Sequence, residues 1–109
     1  MGLNAFQKTG NTVTFTAAVS APTPVQCAST TLGGNQYRII NAGTTTVFLG
    51  YGADAANATS SAVAVTSSQP SFPLLPSTDE ILTFVPNAYF TGVTASGTAQ
   101  VYITCGDGL

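Results

Sequence analysis

Along most of this 109-residue chain apolar and polar positions trade places every second residue, in short runs broken by Gly, Pro, Asn and Ser. The clearest run is "NTVTFTAAV", Asn11 to Val19, which places Val13, Phe15 and Ala17 on one side and Thr12, Thr14 and Thr16 on the other. An extended chain with one buried face requires that alternation, because successive side chains of a strand point to opposite faces. "PVQCAS" (Pro24 to Ser29), "QYRIIN" (Gln36 to Asn41) and "TVFLGYG" (Thr46 to Gly52) continue the theme. So do "EILTFVP" (Glu80 to Pro86), "AYFTGVTA" (Ala88 to Ala95) and "TAQVYITC" (Thr98 to Cys105), all rich in β-branched and aromatic residues.

The punctuation between runs predicts how they connect. "NAGTT", Asn41 to Thr45, is built of residues that tolerate left-handed backbone, and it predicts a hairpin between the runs on either side. Gly50 and Gly52 predict a bulge or the close approach of another backbone. Ala53 to Ser71 is the least patterned stretch. It allows a short helix near Ala53 to Ala58, or a loop with a weak strand at Val63 to Val65, and is expected to be an exposed excursion. Turns at Pro86-Asn87 and Ala95-Ser96-Gly97 separate the last three runs.

About seven or eight short strands with sheet-switching connections predict an all-β, two-sheet antiparallel sandwich. Residues 11–109 form the single domain and residues 1–10 an N-terminal arm. The expected core is Val13, Phe15, Val25, Cys27, Tyr37, Ile39, Val47, Leu49, Ile81, Val85, Val101 and Ile103.

Composition narrows the function. Only 6% of residues are charged, against about a quarter in ordinary soluble domains, so Thr, Ser, Asn, Gly and Ala must cover the surface. Two basic side chains, Lys8 and Arg38, leave little to neutralise phosphates, which argues against direct binding to nucleic acid. No run nears the 18 or so apolar residues of a membrane span. The start lacks the basic and apolar stretches of a signal peptide, and Phe6 stands where a myristoylation motif needs Ser or Thr. Synthesis in a cytoplasm, with no membrane partner, is the expectation.

With no histidine in the chain, Ser/His/Asp and Cys/His nucleophile systems are excluded and the usual metal ligand is missing. Cys27 and Cys105 are read as buried thiols, as a disulfide between strands near the two chain ends or, last, as reactive thiols. The only adjacent acids, Asp79 and Glu80, sit where a strand begins, so they point to opposite faces and cannot flank one glycosidic bond. Ser77, Thr78 and Asp79 are instead expected to make a side-chain-to-backbone turn, with Glu80 starting the strand from the solvent side. Asp54 and Asp107 read as loop and turn acids, and Gly33-Gly34 as a turn. Lys8 and Arg38 read as solvated charges, in competition with pairing to an acid on a partner subunit. No catalytic residue, cofactor or metal is expected.

Three blocks, "FQKTGNTVTFTAA", "NQYRIINAGTTTVFLGYG" and "FPLLPSTDEILTFVPNAYFTGVTASGTAQVYITCGDGL", together resemble the small capsid cement, or decoration, proteins of tailed bacteriophages over most of the chain. The resemblance implies a jelly-roll-like sandwich that binds the outer surface of an assembled head and bridges neighbouring major capsid subunits. It also implies a homo-oligomer, dimer or trimer, located in the virion. The cysteines depart from the family, which does not account for a disulfide.

Candidate contact residues are those the sandwich does not obviously need. They are Leu3 and Phe6 in the arm, and Tyr51, Phe72, Leu74, Leu75, Tyr89 and Phe90 at strand ends or in the Pro-rich connection, where aromatics make favoured interface anchors. Edge strands offer a further route, by adding a strand from a partner. The alternative reading is a receptor- or carbohydrate-binding virion module, a head fibre or tail component, that uses Tyr51, Tyr89 and Phe90 as stacking platforms.

Overall fold

The computed structural model describes residues 7–27, 35–65 and 68–107. In chain order they form β1 (Gln7–Ala17), β2 (Val25–Gln26), β3 (Gln36–Asn41), β4 (Val47–Gly52), α1 (Ala55–Ser61), β5 (Phe72–Leu74), β6 (Thr78–Thr83), β7 (Tyr89–Val93) and β8 (Ala99–Asp107). A front sheet has the order β1-β8-β3-β6 and a back sheet the order β2-β7-β4-β5.

The pairing follows a simple rule. β1 pairs with β8, β2 with β7, β3 with β6 and β4 with β5, all antiparallel. The chain is thus one long hairpin whose two arms are wound together, and the β3·β8 and β4·β7 pairings close it into two sheets. That is the jelly roll, the all-β two-sheet sandwich expected from the alternation.

Between the sheets lie Phe15, Ala17, Tyr37, Ile39, Val101, Ile103 and Cys105 from the front and Val47, Leu49, Leu74 and Phe90 from the back, with Cys27 and Ala88. Val13 and Val25 pack against this layer from its rim. At one end Tyr37 meets Phe90 edge-on at 4.8 Å, and Phe84 lies beside both. Tyr37 also fixes the Pro86-Asn87 turn: its hydroxyl donates to the Val85 carbonyl at 2.8 Å and accepts from the Ala88 amide at 3.2 Å.

Several expectations need correction. Ile81 and Val85 are not core residues; about half of each is exposed. Register explains why: Leu82 stands opposite Tyr37 and Ile81 opposite Arg38, so Leu82 takes the inward side and Ile81 the outward one. A one-residue error in assigning faces moves every side chain of a strand to the wrong side. The hairpin at Asn41 to Thr45 does not form either, since β3 and β4 lie in different sheets. The segment is a corner between sheets, held by the fully buried Asn41. Its amide group donates to the Thr45 and Leu74 carbonyls at 3.0 Å each, and its side-chain oxygen accepts from the Gly43 amide at 3.0 Å.

β1 also begins earlier than expected. Gln7 pairs with Asp107 and Lys8 with Gly106, so residues 7–10 of the expected arm belong to the sheet.

Candidate interaction face

The back sheet carries its own cover. α1 starts at Asp54, whose carboxylate caps the helix by accepting from the Asn57 amide at 2.8 Å, the usual way a first-turn amide is satisfied. The helix lies on the outward side of β4, where alternation with Val47 and Leu49 places Phe48, Gly50 and Gly52. A side chain at Gly50 would meet the Ala58 carbonyl oxygen at 2.4 Å and the Ala62 nitrogen at 2.5 Å, and one at Gly52 the Asn57 Cβ at 2.5 Å. The paired glycines are therefore a close backbone approach, one of the two expected possibilities. Ala58 and Ala62 are buried beneath the helix, so Ala53 to Ser71 is more than an exposed excursion. Val63 to Val65 is not a strand. On β7 the outward Thr91 is also fully buried, its hydroxyl donating to the Pro22 carbonyl at 2.8 Å.

The front sheet has no such cover among the described residues. Register sets out its outward side in rungs: Thr12, Thr104, Arg38 and Ile81 across one, and Thr14, Tyr102, Ile40 and Asp79 across the next. Thr16 and Gln100 begin a third. The polar groups are largely spent on one another. Thr12 and Thr104 share a hydrogen bond at 2.6 Å, Thr16 donates to the Gln100 side-chain oxygen at 2.8 Å, and Gln100 donates to the Thr14 hydroxyl. Arg38 donates to Asp79 through Nη2 at 2.6 Å and Nε at 3.0 Å. What remains for a partner is a self-satisfied strip with Ile81 51% and Tyr102 40% exposed, and Ile40 half-buried.

The two adjacent acids divide as expected. Asp79 points outward to Arg38, so Arg38 is paired within its own chain rather than solvated alone. Glu80 stands opposite the fully buried Ile39, on the core side of the sheet, yet is exposed at the open margin of edge strand β6. By register Glu80 thus takes the core side rather than the solvent side expected of it, while its side chain remains exposed, and a charge so placed at an edge disfavours pairing of another strand. In the turn before β6, Thr78 makes the expected backbone bond, to the Leu75 carbonyl at 2.6 Å, while Ser77 takes a left-handed φ of 57°.

The eight expected contact residues fare unequally. Leu74 and Phe90 are fully buried and cannot present a surface: both take the inward side of their strands, Phe90 against Tyr37. Tyr51 is half-buried and stacks on Phe84 with centroids 4.0 Å apart. Phe72 packs against the core rim and Tyr89 is half-buried, whereas Leu75 is 60% exposed. Leu3, Phe6 and Gly33-Gly34 lie outside the described residues. The structure does not gather these positions into one site. The coherent surface is instead Ile40, Ile81 and Tyr102, which the sequence reading passed over. Its signal was there: Ile40 and Tyr102 are large apolar residues at positions that the alternation around Ile39 and Ile103 reserves for solvent.

Among the described residues no three potential metal ligands converge, and no helix is long and apolar enough to cross a membrane. Comparison with protein-family models, curated proteins and solved structures finds no match to this chain.

Proposed function

We propose that this protein is a structural virion protein, a cement or decoration protein that binds the outside of a phage head and cross-links neighbouring major capsid subunits. The observation that carries the reading is the contrast between a back sheet covered by α1 and a front sheet whose outward side no other described residue covers. That side is electrically balanced by the Arg38–Asp79 pair and studded with Ile81 and Tyr102. A strip of this kind suits a lasting interface made by shape and apolar contact, since interface centres are poor in charge and rich in aromatics. The resemblance of the three sequence blocks supplies the partner. Cross-linking follows from multiple attachment: once one contact forms, the others become effectively intramolecular, and modest contacts add up to a reinforced shell. The stacking-platform alternative is weaker, because Phe90 is buried and Tyr51 already stacks on Phe84.

Imaging undecorated heads mixed with the purified protein tests the reading. Ordered density on the capsid lattice is expected for the native chain, and loss of that density for Tyr102→Asp, which puts a charge on the neutral strip, with circular dichroism checking that the variant is folded. Binding should also weaken little from low to moderate salt. Native protein that leaves the lattice bare would refute the proposal.

A further inference from the structure

Cys27 and Cys105 are 78 positions apart in the chain and meet in the core. Cys105 lies on β8 opposite Tyr37, in the front sheet. Cys27 directly follows β2, in the back sheet. Both are free thiols, 0% and 4% exposed respectively. The Cys105 sulfur sits 3.7 Å from the Cys27 carbonyl oxygen, so its thiol reaches the backbone of the other cysteine. As small hydrophobes either could be replaced by another apolar residue. What no such residue supplies is the capacity to bond across the sandwich. The outward strip of the front sheet makes no use of either thiol.

We propose that Cys27 and Cys105 are a latent inter-sheet disulfide, a dithiol that stays open in reducing surroundings and closes when the protein meets a small-molecule disulfide. One cysteine, as thiolate, attacks a sulfur of the small disulfide RSSR; a mixed disulfide forms and RS⁻ leaves, taking up the proton the cysteine released. The second cysteine then attacks the protein-bound sulfur of the mixed disulfide, and the second RS⁻ leaves with the second proton. The protein has lost two hydrogens and two electrons, and RSSR has become two RSH. Cys27 is the point of entry, since it keeps the little exposure there is. Burial, and after it the hydrogen bond with Cys105, pushes the Cys27 thiol up to about 12. Thiolate is therefore scarce at neutral pH, and closure is slow there and about tenfold faster per pH unit.

The tie joins the two sheets across a long loop, the case in which a cross-link most restricts the unfolded chain. A rise in Tm of about 10 °C or more is expected. The reaction needs only passage from reducing to oxidising surroundings and does not rest on the decoration reading.

The test is to incubate the reduced full-length protein with excess oxidised glutathione at about pH 8.5, then measure intact mass, titratable thiols after denaturation, and Tm. Monomer lighter by two hydrogens, with no titratable thiol and a raised Tm that reductant reverses, is the expected result. Cys27→Ala and Cys105→Ala should each abolish the oxidant-dependent rise; because either truncation can weaken the core, the native chain alone decides. A stable glutathione adduct, disulfide-linked dimers, thiols that persist although the denatured chain oxidises readily, or a Tm that falls on closure would each overturn the proposal.

Discussion

On the back sheet, Gly50 and Gly52 give up their side chains so that α1 can lie against β4, and Ala58 and Ala62 fill the seam. On the front sheet, positions of the same outward parity carry Arg38, Ile40, Tyr102 and Ile81, in rungs whose polar groups bond sideways to one another. Small outward residues mark a face that the chain covers itself. Large outward residues with satisfied polar neighbours mark a face that the other described residues leave uncovered, the kind of surface that suits contact with another molecule.

The comparison presupposes that one layer of side chains holds both sheets as a unit, and alkali attacks that layer. Burial raises the Cys27 thiol from 9.0 to about 12 and raises the Tyr37 phenol above 10.0. A group held protonated by folding stabilises the fold fully below its unfolded value, and that contribution is lost as pH climbs toward the folded one. Under reducing conditions stability should therefore be insensitive to these two groups up to about pH 9. It should then decline steadily as pH climbs from about 9 toward about 12 through Cys27, with Tyr37 adding to the loss. Urea unfolding at stepped pH measures this, and Cys27→Ala should flatten the thiol's share. An unchanged midpoint through pH 11 would mean that neither group is held in the packed layer.

Gly50→Val strikes the covered side alone. Its Cβ would overlap backbone atoms of Ala58 and Ala62, which cannot swing aside as a flexible side chain would. Overpacking at the upper end of its range, about 3 kcal/mol, should lower Tm by roughly 15 °C. Thermal unfolding followed by circular dichroism checks it; a loss under about 1 kcal/mol would show that the helix does not need its close seat on β4.

How much of this contrast the sequence displays depends on range. The alternation of β1 is local, and it delivers the strand, its buried face and the all-β class. Gly50 and Gly52 likewise announce a close approach, because the absence of Cβ is visible in one residue. What a strand's own residues do not encode is which neighbour it pairs with. The Asn41 corner looks like a hairpin because its composition suits any reversal, and only the pairing of β3 with β6 and β8 sends β4 to the other sheet. On edge strand β6 both faces hold apolar residues, so Ile81 and Leu82 compete for the inward side until Tyr37 opposite Leu82 decides it. Leu74 and Phe90 read as candidate contacts because one lies in the Pro-rich connection and the other near a strand end, where local pattern cannot distinguish a capped end from a central core position.

The smallest effect is expected where the front strip is altered without adding charge. Ile81→Thr and Tyr102→Thr keep β-forming residues on the outward side and remove surface that is about half and two-fifths exposed already. Little burial is lost, so each should cost about 0.5 kcal/mol or less in stability, a shift of no more than a few degrees in Tm. In the double variant the two changes should nearly add, since the residues stand on separate rungs. If the protein decorates heads as proposed, the same variant should lower its affinity for them, because the apolar area removed is area that a partner would bury. Were each substitution to cost 2 kcal/mol or more, the strip would be part of what holds the sandwich together. The two sheets would then differ in how they are covered and not in what they leave free.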